Sequence, residues 1–593
     1  MPVRSSTLTW ARVGALAVIA MAAICMPACS SEAPAGDPDV PADGAAPEDE
    51  LDAGDANDAS PPKDAAPDRR DGSVAATGPC GKIPVDGTCV SPTQVQTCVV
   101  PTNQGTATVV TQTCAAYAQC AVVQGKARCV ASPGKCEPGA SECVSTSVQR
   151  RCDNNGAWIQ TACAGCNVSS LGAVCPDAAF TTLYTGTVQY EFRGPNATFT
   201  DWDTTTSISP AVGALVVSYR WSASMEYYYP LDAVVADASG GYTIHVATAL
   251  DPADLINVFA IRSTPSGFLF AVAQPDVSDG TANTATPVPS GGANATYWGW
   301  SNYVQTLGPS GSNFLITEAM GSGALRVFDN LRYAYDATTA VLGASGKSVV
   351  VWLRNNTSWN CGSCFQALPT TFLGHAFDSQ MFLPAVAQNT GYWADPVTSH
   401  ELGHWVMASY GTSPNEGGPH EVACPTYPGQ AWSEGWATGF SSLARASPKY
   451  YDKQGGTFFW LDIAQHSYGG GAPWTSPSSA GGLLQPIDEN MVAATIWSLA
   501  DNATTPVLSV TSNGALFNAL KSPRMTKAPF ARGYTSHTWQ GGCEPRTSVV
   551  DTGSPAPMMA DYLDALVCAG MAPSKVTSAI GTYPYAAGAP VCK

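Results

Sequence analysis

The run His400-Glu401-Leu402-Gly403-His404 sets two imidazoles four positions apart, with a carboxylate next to the first. On a helix, residues four apart share a face, so both imidazoles point at one spot and the carboxylate stands beside it. Two neutral ring nitrogens can hold a divalent metal there while a general base adjoins the metal-bound water, an arrangement suited to Zn2+ hydrolysis with Glu401 as base. The segment also carries its own start and stop signals: Asp395 as the expected N-cap, Pro396 at the first helical position, and Gly411 just past the end.

A catalytic zinc site needs a third protein ligand and leaves the fourth position to water. Downstream, Glu416 and Glu421 flank His420 in a Gly/Pro-rich loop, whereas Glu434 follows Pro428-Gly429 in what is expected to be the first turn of a helix. Glu434 is the preferred ligand, because a helix fixes a carboxylate better than a loop, and Gly435 with Ala437 is expected to allow close approach to the motif helix. His420 is the alternative third ligand. A proton donor or oxyanion stabiliser is not singled out; His420, Tyr427, His466, Tyr468 and His537 are candidates.

Val397-Thr-Ser-His400-Glu401-Leu-Gly-His404-Trp, followed by Glu434-Gly-Trp-Ala, resembles the gluzincins, zinc peptidases whose third ligand is a glutamate. Asp378-Ser-Gln-Met381 is similar to their edge strand. The resemblance spans about residues 315 to 500 and implies an α+β zincin-like catalytic domain. It also implies His400, His404 and Glu434 as zinc ligands, Glu401 as general base, and residues 377 to 386 as the strand that pairs with peptide substrate. The sequence differs from the thermolysin-like subgroup at Thr438, where that subgroup often places an aspartate to orient a histidine.

The elements that must carry this site follow from periodicity. Leu325, Val327, Phe328, Leu331, Tyr335 and Val341 recur at helical steps over about Thr317 to Leu342. A strand is expected at Lys347 to Leu353 and another extended piece at Gln380 to Leu383. Glu489 to Asp501 is expected to be a helix that packs the core below the site. Upstream, apolar runs at Gly213–Trp221, Tyr242–Val246, Val258–Ile261 and Gly267–Val272, separated by Gly, Pro and Asp, indicate an antiparallel β domain or pro-region. His245 on one of these strands is taken as structural.

The organisation expected is multidomain: a signal peptide (1–28), an acidic Pro/Ala-rich linker (29–79), two disulfide-rich repeats (80–176), a β-rich domain or pro-region (177–310) and the zincin-like domain (311–593). Arg4 and Arg12, the apolar run Val13 to Met26 and the small residues before Cys29 have the layout of an export signal; the run is too short to span a bilayer. Ala28-Cys29 resembles a bacterial lipoprotein processing site, with Cys29 lipidated, so a membrane partner through an N-terminal lipid anchor is expected at the outer membrane or cell surface. Ordinary cleavage and release is the alternative.

Removing Cys25 and Cys29 from the twenty cysteines leaves an even number, as expected of a chain that pairs them outside the cell. Twelve fall in two sets of six, Cys80 to Cys129 and Cys136 to Cys175, in units too small to be stable without staples. Cys361 and Cys364, spaced as in a redox motif, are expected to be structural. The net charge of −18 is concentrated between residues 30 and 72, a composition that cannot bury a core. With no basic stripe, nucleic-acid binding is not expected. The expected substrate is a protein or peptide; nothing in the sequence sets an oligomeric state. The rival class is a surface-binding or adhesion lipoprotein whose zinc site is structural or inactive.

Overall fold

The computed structural model describes residues 80–585, apart from 85–86, 100–107, 124–125, 137–139, 154, 163–164, 170–171, 175–179, 223–226, 265–266, 276–294, 360, 374, 415–419, 421–424, 427, 470–486, 502–512, 527–556, 582 and 584. The signal, the linker and Cys29 lie outside the described residues, as do Tyr427 and His537. Among the described residues, no helix is long and apolar enough to cross a membrane.

The two cysteine-rich units are built alike. Each opens with a three-stranded antiparallel meander, Thr88–Ser91, Gln94–Val99 and Thr108–Thr113 in the first and Ser141–Ser145, Val148–Cys152 and Trp158–Ala162 in the second, followed by a hairpin. Cys80–Cys98 and Cys136–Cys152 join the first cysteine of each set to the third, while Cys89–Cys120 and Cys143–Cys166 join the second to the fifth. In the first unit Cys114–Cys129 joins the fourth cysteine to the sixth; Cys163 and Cys175, their counterparts in the second, lie outside the described residues. Their apolar interior is little more than Val95, Ala118, Ala127 and Ala173 with the cysteines themselves, so cross-links replace a core. Such pairs belong to an oxidising environment.

From residue 180 the chain builds sheets in earnest. Thr182–Phe192 pairs with Ser207–Pro210 and Gly241–Val246, and Leu215–Ser222 lies between Tyr227–Val235 and Leu255–Phe259. His245 is tied to Asp232 through Nδ1 at 2.8 Å, a structural pairing.

The six-stranded sheet that carries the site runs β1 (Ile261–Thr264), β2 (Gly267–Gln274), β3 (Val349–Leu353), β4 (Cys364–Gln366) and β5 (Ser379–Leu383) in the order β1-β2-β3-β5-β4, with the short strand Thr296–Tyr297 also paired to β2. β2, β3 and β5 run parallel, and the outer strands are antiparallel to their neighbours. β3 is buried throughout, as Val-Val-Val-Trp-Leu in the middle of a parallel sheet must be.

Two expectations fail here. The boundary at residue 310 is not a structural boundary, because β2 from the upstream segment is the parallel neighbour of β3, and residues from Tyr184 to Tyr585 share one hydrophobic core. Nor is β5 an edge strand: β3 flanks it on one side and β4 on the other. The edge is β4, a three-residue strand too short to be seen as one in the sequence, whose first residue is Cys364 of the Cys361–Cys364 disulfide.

Helices α1 (Gly323–Leu342), α2 (Asp395–Tyr410), α3 (Pro428–Arg445) and α4 (Glu489–Leu499) form the other layer. Leu325, Val327, Phe328 and Leu331 of α1 share the core with Val349, Val351, Met381 and Leu383 of the sheet and Val397, Leu402, Trp405 and Val406 of α2. The opposite face, with Val350, Trp352 and Phe382, packs on Leu215 and Val217. A short 3-10 turn, Glu318–Met320, occupies the place where α1 was expected to begin.

Candidate metal centre

α2 carries the motif at its middle, where every residue from Pro396 to Met407 is buried. Ala394 rather than Asp395 occupies the N-cap position; Asp395 is the first helical residue and its carboxylate accepts from Asn330 Nδ2 at 3.0 Å and pairs with Arg326, both on α1. A buried guanidinium needs a counter-charge, and this claim on Asp395 outweighs capping. The pair fixes the start of the motif helix against α1. Gly411 is not in the left-handed region; a Cβ there would lie 2.9 Å from Leu520 O, so the close approach requires the glycine.

α3 crosses α2 at Gly403, where a Cβ would come within 2.8 Å of Ala437 Cα, and Trp436 Nε1 donates to Gly403 O at 3.1 Å. The expectation that Gly435 serves this contact is wrong: Gly435 faces α4, where a Cβ would meet Val492 Cβ at 2.4 Å and Glu489 O at 2.6 Å. Because α3 starts at Pro428, Glu434 sits in its second turn.

The α2–α3 crossing brings the expected ligands together. His400 Nε2 lies 3.1 Å from Glu434 Oε2, His404 Nε2 lies 3.1 Å from the same oxygen, and the two Nε2 atoms are 3.2 Å apart. All three side chains are buried. Thr438 Oγ1 stands 3.1 Å from His400 Nδ1 and Ser433 Oγ 3.3 Å from His404 Nδ1. With each Nδ1–H donating to its hydroxyl, both Nε2 lone pairs face the Glu434 carboxylate, and three electron-rich atoms packed this closely call for a cation among them. Thr438 thus takes up the histidine-orienting place despite its different chemistry. The His400-His404-Glu434 group could hold a metal ion.

Burial pulls the His400 pKa down to about 4, favouring the neutral ligand form. Burial also acts against a charged His404, but the Glu434 carboxylate outweighs it and holds His404 above its ordinary value. Glu434, which burial alone would raise, is held well below the carboxylate range by the imidazoles of His420 and His404. Glu401 behaves oppositely: burial pushes it up to about 8. Its Oε2 is buried and finds no hydrogen-bond partner among the described residues.

Three further groups reach the same pocket. His420 Nε2 lies 3.5 Å from Glu434 Oε2 and 3.7 Å from Glu489 Oε2. Glu489 was expected only to head a core-packing helix, yet its carboxylate faces the centre. Tyr450, on the strand Lys449–Gln454 that follows α3, sets its ring at 6.0 Å to that of His400, edge to face, and burial together with the charges of Asp452, Glu401, Glu489 and Glu434 drives its pKa well up. Its only sequence signal is the Lys-Tyr-Tyr-Asp alternation of a half-buried strand. His466 is exposed in a turn, whereas Tyr468 lies near enough to feel Asp488 and Glu489.

Fold and site together define a multi-sheet α+β protein with a buried two-histidine, one-glutamate group able to take a metal ion. No protein-family model matches the chain, and no curated protein matches it.

Proposed function

We propose that this chain is an exported zinc peptidase of zincin-like architecture. The observation that carries the reading is the convergence of His400 Nε2, His404 Nε2 and Glu434 Oε2 within 3.2 Å of one another, beside the unsatisfied Oε2 of Glu401. A purely structural metal site would close its fourth position and would have no use for a buried base.

Bound there, zinc would acidify a water molecule and polarise the scissile carbonyl. Glu401 accepts the water proton, its buried Oε2 holding no other hydrogen bond among the described residues. Thr438 and Ser433 hold the two imidazoles in the ligating tautomer. Tyr450 presents a phenol that stays protonated, fit to donate to a developing oxyanion. Among the described residues β4 pairs only with β5, so its outer edge is left to pair with an extended peptide in antiparallel fashion. Export and attachment through Cys29 complete the proposal, and the disulfide-rich units would then stand between the membrane and the enzyme.

The test is chelation and repletion. Protein stripped of metal should lose hydrolysis of a peptide library, and near-stoichiometric Zn2+ should restore it; hydrolysis that persists without metal contradicts the proposal. For the anchor, Cys29→Ser should release the protein from membranes, and unchanged fractionation rules out lipidation there.

A further inference from the structure

We propose that His420, Glu434 and Glu489 hold a second divalent metal ion beside the one assigned to His400, His404 and Glu434, with the Glu434 carboxylate shared between the two. This rests on the zinc-hydrolase reading and adds an ion to it.

The spacing is that of a ligand set. Two ligands about 2.2 Å from a common ion, at tetrahedral angles, sit about 3.6 Å apart, and His420 Nε2 is 3.5 Å from Glu434 Oε2 and 3.7 Å from Glu489 Oε2. One donor atom from each of the three lies within 4.8 Å of the others, and they form a group separate from the His400-His404-Glu434 group, joined to it only through Glu434. A single ion with His420 as fourth protein ligand would leave Glu489 without a role and would take the position a substrate water needs.

Charge points the same way. Glu401, Glu434 and Glu489 are 4%, 2% and 5% exposed, and Asp452 is fully buried nearby. Among the described residues no lysine or arginine forms an ion pair with Glu401 or Glu434. Buried carboxylates are stabilised by a cation close to their oxygens, and the Oε2 atoms of Glu434 and Glu489 both lie within 3.7 Å of the one imidazole nitrogen of His420. A second dication, sharing the Glu434 carboxylate with the first as in two-metal hydrolases with ions about 3.5–4 Å apart, would answer both carboxylates.

The backbone is arranged to make this possible. Asp488 caps α4 by accepting from Asn490 N at 2.8 Å, which fixes Glu489 as the first helical residue. Gly435, next to Glu434, lets that end of α4 press onto α3, since a Cβ would lie 2.6 Å from Glu489 O. The glycine thus permits two carboxylates on different helices to meet at one imidazole. With one nitrogen and two oxygen donors the second site is harder than the first and should bind the more weakly of the two.

The experiment is a Zn2+ titration of the metal-stripped full chain, with bound metal counted by elemental analysis after dialysis. The wild type should take up two ions in two steps. Glu489→Gln and His420→Ala should each retain the tighter step and lose the weaker one. A wild-type chain that saturates at one ion overturns the second site whatever the variants do, and leaves the zinc-hydrolase reading standing. A wild-type chain that binds no ion removes both. Two ions in the wild type with both variants still binding two would place the second ion elsewhere and overturn the assignment.

Discussion

The disulfide-rich units and the region that follows them solve stability in opposite ways. Residues 80 to 174 bury few apolar side chains and rely on cross-links closing loops of 15 to 31 residues. The later region buries Trp352, Trp405, Trp432, Trp436, Phe328, Phe382 and Phe440 almost completely. Only the second kind of stability leaves room for functional strain, because burying two imidazoles and several carboxylates is costly and needs a large surrounding core to offset it. The site lies in the second kind of region, on the buried helices α2 and α3.

The sharpest way to break this contrast is to attack each mode of stabilisation separately. Trp436→Ala should destabilise the larger region by about 3–5 kcal/mol, since the indole fills the core and donates to Gly403 O across the helix crossing. Thermal unfolding should show one transition moved and that of the repeats unmoved; a common shift would mean the two regions unfold as one. Conversely, Cys89→Ser with Cys120→Ser should cost the first repeat about 2–5 kcal/mol while zinc binding stays as in the parent, and lost zinc binding would show that the repeats support the site.

A smaller effect probes the imidazole-orienting hydroxyls. Thr438→Val removes the group 3.1 Å from His400 Nδ1 at nearly constant volume and should weaken zinc affinity roughly 10- to 100-fold, read by competition with a chelator. Unchanged affinity would mean that packing alone orients His400.

The smallest is a pH effect away from the site. His375 stacks on Phe268 with ring centroids 3.9 Å apart, and burial pulls its pKa down to about 4. Its folded value lies below its unfolded value of about 6.5. The stability from burying the neutral ring is therefore present above that value and is lost as pH falls from 6.5 through 4. His375→Phe should flatten the decline in melting temperature between pH 7 and 5, and an identical decline in both proteins would refute the assignment.

How much of this was legible beforehand divides along the same line. The motif helix, the grouping of His400, His404 and Glu434, the strands near 215, 242, 267 and 349, and the twelve-cysteine repeat are visible because each is encoded by local periodicity or spacing. The parts that escaped depend on contacts across long separations. Glu489 lies 55 residues beyond Glu434 and reaches it only because Gly435 admits α4. Tyr450 looks like any half-buried strand tyrosine until that strand lies against α2. The strand at 379 to 383 was mistaken for an edge because β4, which covers it, is three residues long and has no periodicity to detect. The break drawn at 310 followed a change of periodicity, yet a change from strands to helices is also what a single mixed sheet produces.

The central claim is that Glu401 acts as base at a zinc held by its neighbours, and Glu401→Gln tests it most directly because the amide keeps the shape but cannot accept a proton. Zinc content and peptide hydrolysis are to be measured on the same purified samples of parent and variant. The account predicts that the variant keeps the zinc of the parent while turnover falls by roughly 10² to 10⁴. Turnover equal to the parent's, or a zinc-free parent that still hydrolyses peptide, would contradict it.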